Sequence, residues 1–180
     1  FAVPFVETDL PQCEALNAQL RELLLAREAA GERYRNPATS MRINPGLFES
    51  DFTLFAAPEP AIQQLREFCW GALSRAIAQL NGYTAAQMAR LEIASHTWFH
   101  ITRKGGYFGV HNHPMASWSG AYCVDAGEGN GGHPESGALH FLNPMQLANM
   151  YVDAANNHVR APYGMTGKTY HFRPGQLVLF

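Results

Sequence analysis

The strongest constraint on the fold is a change of texture near residue 91. From there the chain runs as short apolar or aromatic stretches divided by turn-forming residues. LEIASHTWFHITR leads into Gly105-Gly106, and YFGVHNH leads into Pro114. WSGAYCVDA meets the glycine-rich GEGNGGHPESG, ALHFLNP follows, and QLVLF comes after Arg173-Pro174-Gly175. HVRAPY and KTYHF are weaker extended stretches between them. Runs this short gain too few hydrogen bonds to be stable helices. Their Val, Ile, Tyr, Phe and Trp content suits a pleated, half-buried surface. Many short strands with Gly and Pro turns predict an antiparallel sandwich or small barrel.

The first half has a different period. FAVPFVE opens as an extended segment. After Pro11, residues Cys13, Leu16, Leu20, Leu23 and Leu24 recur at three- and four-residue steps, and Gly31 is the expected stop. Residues 32 to 56 read as irregular, with Asn36-Pro37 and Asn44-Pro45-Gly46 as turn signals. Pro58 and Pro60 precede a stronger helix. Its stripe is Ile62, Leu65, Phe68, Cys69, Leu73, Ile77 and Leu80, closed by Asn81-Gly82. Both stripes read as core packing. The expectation is a mainly β fold with N-terminal helices in one domain over residues 1–180. Residues 1–90 form the helical part, packed on a β core over 91–180. Residues 144 to 157 are expected to be partly helical.

Bulk properties exclude several classes. The formal charge is -2 with no basic run, so there is no electrostatic case for nucleic acid or for a membrane surface. The longest apolar run is far too short to span a bilayer. Cys13, Cys69 and Cys123 are odd in number, widely spaced and without a CxxC, which suits reduced thiols in a cytoplasmic protein. The chain opens at Phe1 without a Met and stops at QLVLF, inside an apolar strand. Further residues are therefore expected, above all after Phe180.

HNHPMASWSG carries the chemistry. In a strand, His111 and His113 project to one face, where two imidazoles can reach a single metal ion. Gly105, Gly106 and Gly109 allow a tight approach before the pair, and Pro114 ends ladder pairing after it. Taken alone, an H-x-H on a solvent-facing strand usually binds nothing. The glycine turn, the all-β surroundings and the histidine-bearing strand on each side move the reading toward a metal site.

The run SHTWFHITRKGGYFGVHNHPMASWSGAYCVDAG, with GALHFLNP and RPGQLVLF, resembles the 2-oxoglutarate and Fe(II)-dependent oxygenases of the bacterial and phage type, relatives of the prolyl hydroxylases. The resemblance covers residues 91 to 180 well and the N-terminal part more loosely. It implies a double-stranded β-helix, a cupin-like jelly roll, with helices packed on it. It also implies Fe(II) at the open end, 2-oxoglutarate as cosubstrate, and hydroxylation of a small-molecule or peptide substrate. By similarity His111 takes the place of the first ligand. His113 falls where most relatives outside this group carry a carboxylate, so a neutral imidazole stands for an acid. The family places the third ligand, a histidine, after the L-V-x-F strand and an Arg or Lys beyond it, so both are expected after Phe180.

The same resemblance sketches the pocket. His100, Ser119 and Cys123 are the expected cofactor-binding set. Cys123 holds the position where relatives use an aromatic side chain against 2-oxoglutarate, with Tyr122 beside it. By alternation Ser119, Ala121 and Cys123 share a face, and ordinary interior packing explains them equally well. Trp98 is expected in the core, and His96 shares the alternation of His100. His140 and His171 are expected to pack or to line the pocket wall, and His133 to be solvated. No catalytic side chain beyond the metal ligands is required. Two rival readings stand. A cupin-type dioxygenase or isomerase matches Gly105 and the H-x-H, but Ser117 and Trp118 stand where its glutamate belongs. A non-catalytic jelly-roll binding module is the other.

Overall fold

The computed structural model describes residues 3–37, 45–127, 133, 135–143, 158 and 167–180. The chain divides into two compact units: Phe1–Val124 with Gly175–Phe180, and Asp125–Pro174.

In the first unit, strand β1 (Val6–Asp9) leads into helix α1 (Glu14–Ala29). Gly31, at φ 62°, follows the last helical turn in the left-handed conformation that glycine adopts without penalty. Helix α2 (Pro60–Asn81) begins with Pro60 at its first position, where a missing N–H costs nothing, and ends on the left-handed Gly82. A short helix α3 (Ala85–Met88) starts with a capping box between Thr84 and Gln87.

The expected stripe of α1 is the observed one, since Leu16, Leu20 and Leu24 are buried. That of α2 shifts. Ile62 and Leu65 are buried near its start, but further along the buried face carries Ala72 and Ala76, while Leu80 is exposed. The small side chains bring the helix backbone close to Leu177 and Leu179, and the larger Phe68, Cys69 and Leu73 flank that contact half-buried. A second cluster joins Leu20, Ile62, Phe48 and Phe99, tying both helices to the strand pair described next. Leu20 and Ile62 are wholly buried, each worth about 1.5–3 kcal/mol of transfer free energy.

Two antiparallel sheets complete this unit. Strands β2 (Leu47–Glu49) and β3 (His100–Thr102) pair with Glu49 opposite His100. Thus a short strand lies in the segment read as irregular, because pairing with β3, some fifty residues away, supplies its order. The C-terminal strand β7 (Gln176–Leu179) runs between β1 and β4 (Gly120–Tyr122), antiparallel to both, and all four of its residues are buried.

The second unit contains β5 (Ala138–Phe141) and β6 (Lys168–His171), paired antiparallel with Leu139 opposite Tyr170. His140 and His171 lie here, both at exposed positions, and the His140 ring meets Thr169 Oγ1 at 3.0 Å. His133 is exposed, as expected. Residues 144–157, all but His158 of HVRAPY, and most of GEGNGGHPESG lie outside the described residues. The described strands thus form antiparallel sheets of three, two and two strands. Among the described residues no helix is long and apolar enough to cross a membrane.

Candidate functional site

His111 and His113 do come together, but not by the pleat. Residues 109–119 contain no strand. Pro114 offers no N–H to a ladder, Met115 adopts φ 64°, and the Ala116 N–H meets the His113 carbonyl at 3.4 Å in a turn. The rings converge through hydrogen bonds instead. His111 Nδ1 lies 3.0 Å from the Gly109 carbonyl, and His113 Nδ1 lies 2.7 Å from Ser119 Oγ. The two Nε2 atoms are then 3.0 Å apart.

Proton placement limits what this arrangement can be. A carbonyl only accepts, so neutral His111 carries its proton on Nδ1 and presents a bare lone pair at Nε2. Ser119 can accept or donate. If its hydroxyl donates to His113 Nδ1, then His113 Nε2–H donates to His111 Nε2, and the chain is satisfied without an ion. If instead His113 Nδ1–H donates to Ser119, both Nε2 lone pairs face one point, and a cation must lie between them. One rotating hydroxyl and one ring proton moved from His113 Nε2 to Nδ1 separate the two states. Burial, then the neighbouring His111 and His100, hold the His113 pKa below its ordinary value, which favours the neutral ring a metal needs.

The spacing suits a metal. Two nitrogens about 2.1 Å from one ion and at right angles around it are about 3 Å apart. Both rings also have their second nitrogen engaged, the usual way an imidazole ligand is oriented. Among the described residues no group of three His, Cys, Asp or Glu side chains is placed to hold an ion, so the histidines form a pair and not a closed set.

The other expected pocket residues separate. Ser119 joins the site through His113. Its backbone is clamped to Phe180 by bonds of 2.8 and 2.9 Å just beyond the β4–β7 ladder. Cys123 is half-buried with its N–H on the Gln176 carbonyl. The neighbouring Tyr122 points into the helices, with its hydroxyl 2.7 Å from Asn17 Oδ1 and its ring edge-on to Phe68. Burial pushes the Tyr122 hydroxyl well above its ordinary pKa. His100 stacks on Phe108, whose ring is 4.3 Å from that of His111.

Two residues change role or enter unannounced. Trp98, expected in the core, is half-buried at the site, its ring edge-on to His113 at 5.6 Å and its Nε1 3.1 Å from His100 Nε2. Alternation with His100 was the signal: side chains two apart on an extended segment share a face. Phe52 continues this aromatic surface, edge-on to Trp98 and stacked on His96. Glu49 was not foreseen. It is 5% exposed, accepts from Asn36 Nδ2 at 2.7 Å, and lies 2.8 Å from His100 Nε2.

Residues 96–180 match a protein-family model described as "Putative 2OG-Fe(II) oxygenase". This segment belongs to that oxygenase family. The match begins at His96, on the extended approach to β3, and includes the histidine pair, Trp98, His100 and Ser119. A 2OG-Fe(II) oxygenase segment implies oxygenase chemistry, with iron and 2-oxoglutarate as the family's metal and cosubstrate. Glu49 and both long helices lie outside the matched residues. No curated protein and no solved structure matches the chain.

Proposed function

We propose that the protein is an Fe(II)- and 2-oxoglutarate-dependent oxygenase that hydroxylates a small-molecule or peptide substrate. The reading includes a double-stranded β-helix as the fold and the cytoplasm as the location. The observation that carries it is the 3.0 Å approach of two imidazole Nε2 atoms whose other nitrogens are both engaged, within a segment of the oxygenase family.

His111 and His113 would hold the iron through Nε2. Gly109 and Ser119 keep those lone pairs aimed, and a third protein ligand is required from outside the described set. When bound, iron and 2-oxoglutarate supply the chemistry: oxygen converts 2-oxoglutarate to succinate and CO2 while a substrate C–H becomes C–OH. The chain's own residues orient these groups. Trp98 and Phe108 flank the histidine rings. His100, Ser119 and Cys123 are the proposed cofactor-binding residues, and Ser119 acts through His113. With imidazole where relatives carry a carboxylate, the site has one negative charge fewer, which favours an anionic cosubstrate.

The test is succinate formation from 2-oxoglutarate by the full chain with Fe(II) and oxygen. Turnover is expected in the wild type and absent in His111→Ala. A wild type that consumes no 2-oxoglutarate across a broad substrate panel contradicts the proposal.

A further inference from the structure

The wall beside the histidine pair contains a conflict over one nitrogen. Trp98 Nε1 lies 3.1 Å from His100 Nε2, and Glu49 Oε2 lies 2.8 Å from the same atom. An indole N–H can only donate and a carboxylate oxygen can only accept, while a ring nitrogen offers either a proton or a lone pair. His100 Nε2 therefore serves one of them. A protonated Glu49 does not relieve the conflict, because two donors would then compete for a single lone pair.

Burial decides the outcome. Glu49 is buried opposite His100 in the β2–β3 ladder, and its Oε1 already accepts from Asn36. Leaving Oε2 without a donor would strand a buried carboxylate oxygen with its hydrogen bond unmade. Trp98 is half-buried, and its N–H can turn to water or to a ligand at smaller cost. His100 Nε2–H thus goes to Glu49, and the indole N–H is left without an acceptor. That N–H belongs to the ring standing edge-on to His113.

We propose that Glu49 is a positioning residue: by taking the His100 Nε2–H it frees the Trp98 indole N–H to hold a carboxylate oxygen of a 2-oxo acid bound beside His113. The ligand half rests on the proposed oxygenase function, whereas the tautomer half stands on the geometry alone. Glu49 lies on β2, outside the oxygenase segment, so the N-terminal half would set the hydrogen-bonding sense of a pocket built by the C-terminal half.

Nitrogen-15 NMR of the full chain tests the first half without any ligand. Wild type should show His100 protonated at Nε2. Glu49→Gln should move the proton to Nδ1, leaving the Nε2 lone pair to the introduced amide N–H and the Trp98 indole. A wild-type His100 protonated at Nδ1, or a tautomer unchanged by the substitution, overturns it. Calorimetry with 2-oxoglutarate and the Zn(II)-loaded protein tests the second half. Trp98→Phe, which keeps the ring and removes the N–H, should weaken binding roughly three- to tenfold, as one hydrogen bond is worth. In a wild type that binds 2-oxoglutarate, unchanged affinity in Trp98→Phe overturns the ligand half alone. A wild type that binds none overturns it together with the oxygenase reading, and the tautomer measurement then decides the role of Glu49 by itself. If Glu49→Gln fails to fold, the wild-type tautomer and Trp98→Phe still decide both halves.

Discussion

Ser119→Ala isolates the hydroxyl that aims His113. The Oγ lies 2.7 Å from His113 Nδ1, so the substitution removes one short hydrogen bond. The backbone should not respond, because Ser119 is held by two main-chain bonds to Phe180, and alanine keeps both. In the metal-bound state the hydroxyl accepts the Nδ1 proton and fixes the tautomer. Without it the ring is free to rotate or to protonate at Nε2. Loss of such an orienting partner costs about 10- to 100-fold in metal affinity, or about 1.4–2.8 kcal/mol. Competitive titration of Co(II) against a chromophoric chelator reads this directly, and Ser119→Thr, which restores a hydroxyl, should recover most of the loss. Equal Co(II) affinity in wild type and Ser119→Ala would refute the idea that Ser119 orients a ligand. A matching fall in thermal stability of the metal-free Ser119→Ala protein would show a folding role instead.

Other perturbations give separate checks. Ile62→Ala opens a cavity beside Leu20, Phe48 and Phe99 in a wholly buried place and should cost about 2–5 kcal/mol in denaturant unfolding. Gly106→Ala would drive a methyl group into the Gly46 carbonyl and to within 2.9 Å of the Arg103 carbonyl. A loss of about 1–3 kcal/mol is expected there, with weaker Co(II) binding, since this turn leads into the histidine pair. Stability of the metal-free protein should fall as pH drops through 6.5. Burial first of all lowers the His100 and His113 pKa values from 6.5, so below that value the unfolded chain binds more protons than the folded one. A second loss should begin below pH 4.5, where Glu59 takes up its proton in the unfolded chain while the Arg27 hydrogen bond keeps it ionised in the folded one. A melting temperature flat between pH 7 and 5.5 contradicts the histidine part.

Much of the architecture was legible because its signals are local. Leu16, Leu20 and Leu24 mark α1 by spacing alone, and Pro60 and Gly82 bracket α2 through backbone chemistry that only those residues provide. The buried Ala72–Ala76 face was not legible, because alanine at that spacing says nothing about the sheet it meets. The histidine pair was found from its motif, but for the wrong geometric reason: hydrogen bonds to Gly109 and Ser119, rather than strand alternation, turn the rings together. Trp98 reads as a core residue, yet alternation puts it on the face of His100. Glu49 lies 51 residues from its partner, in a stretch without periodicity, so its role appears only once β2 and β3 are paired.

The central claim is that His111 and His113 share one metal ion through Nε2. The decisive measurement is anaerobic titration of the full chain with Fe(II), followed by histidine nitrogen NMR on a Zn(II)-loaded sample. The account predicts one bound equivalent, loss of binding in both His111→Ala and His113→Ala, and zinc-shifted Nε2 resonances on these two rings with Nδ1 protonated. Binding that survives either substitution, or Nε2 resonances unmoved by the metal, would contradict it.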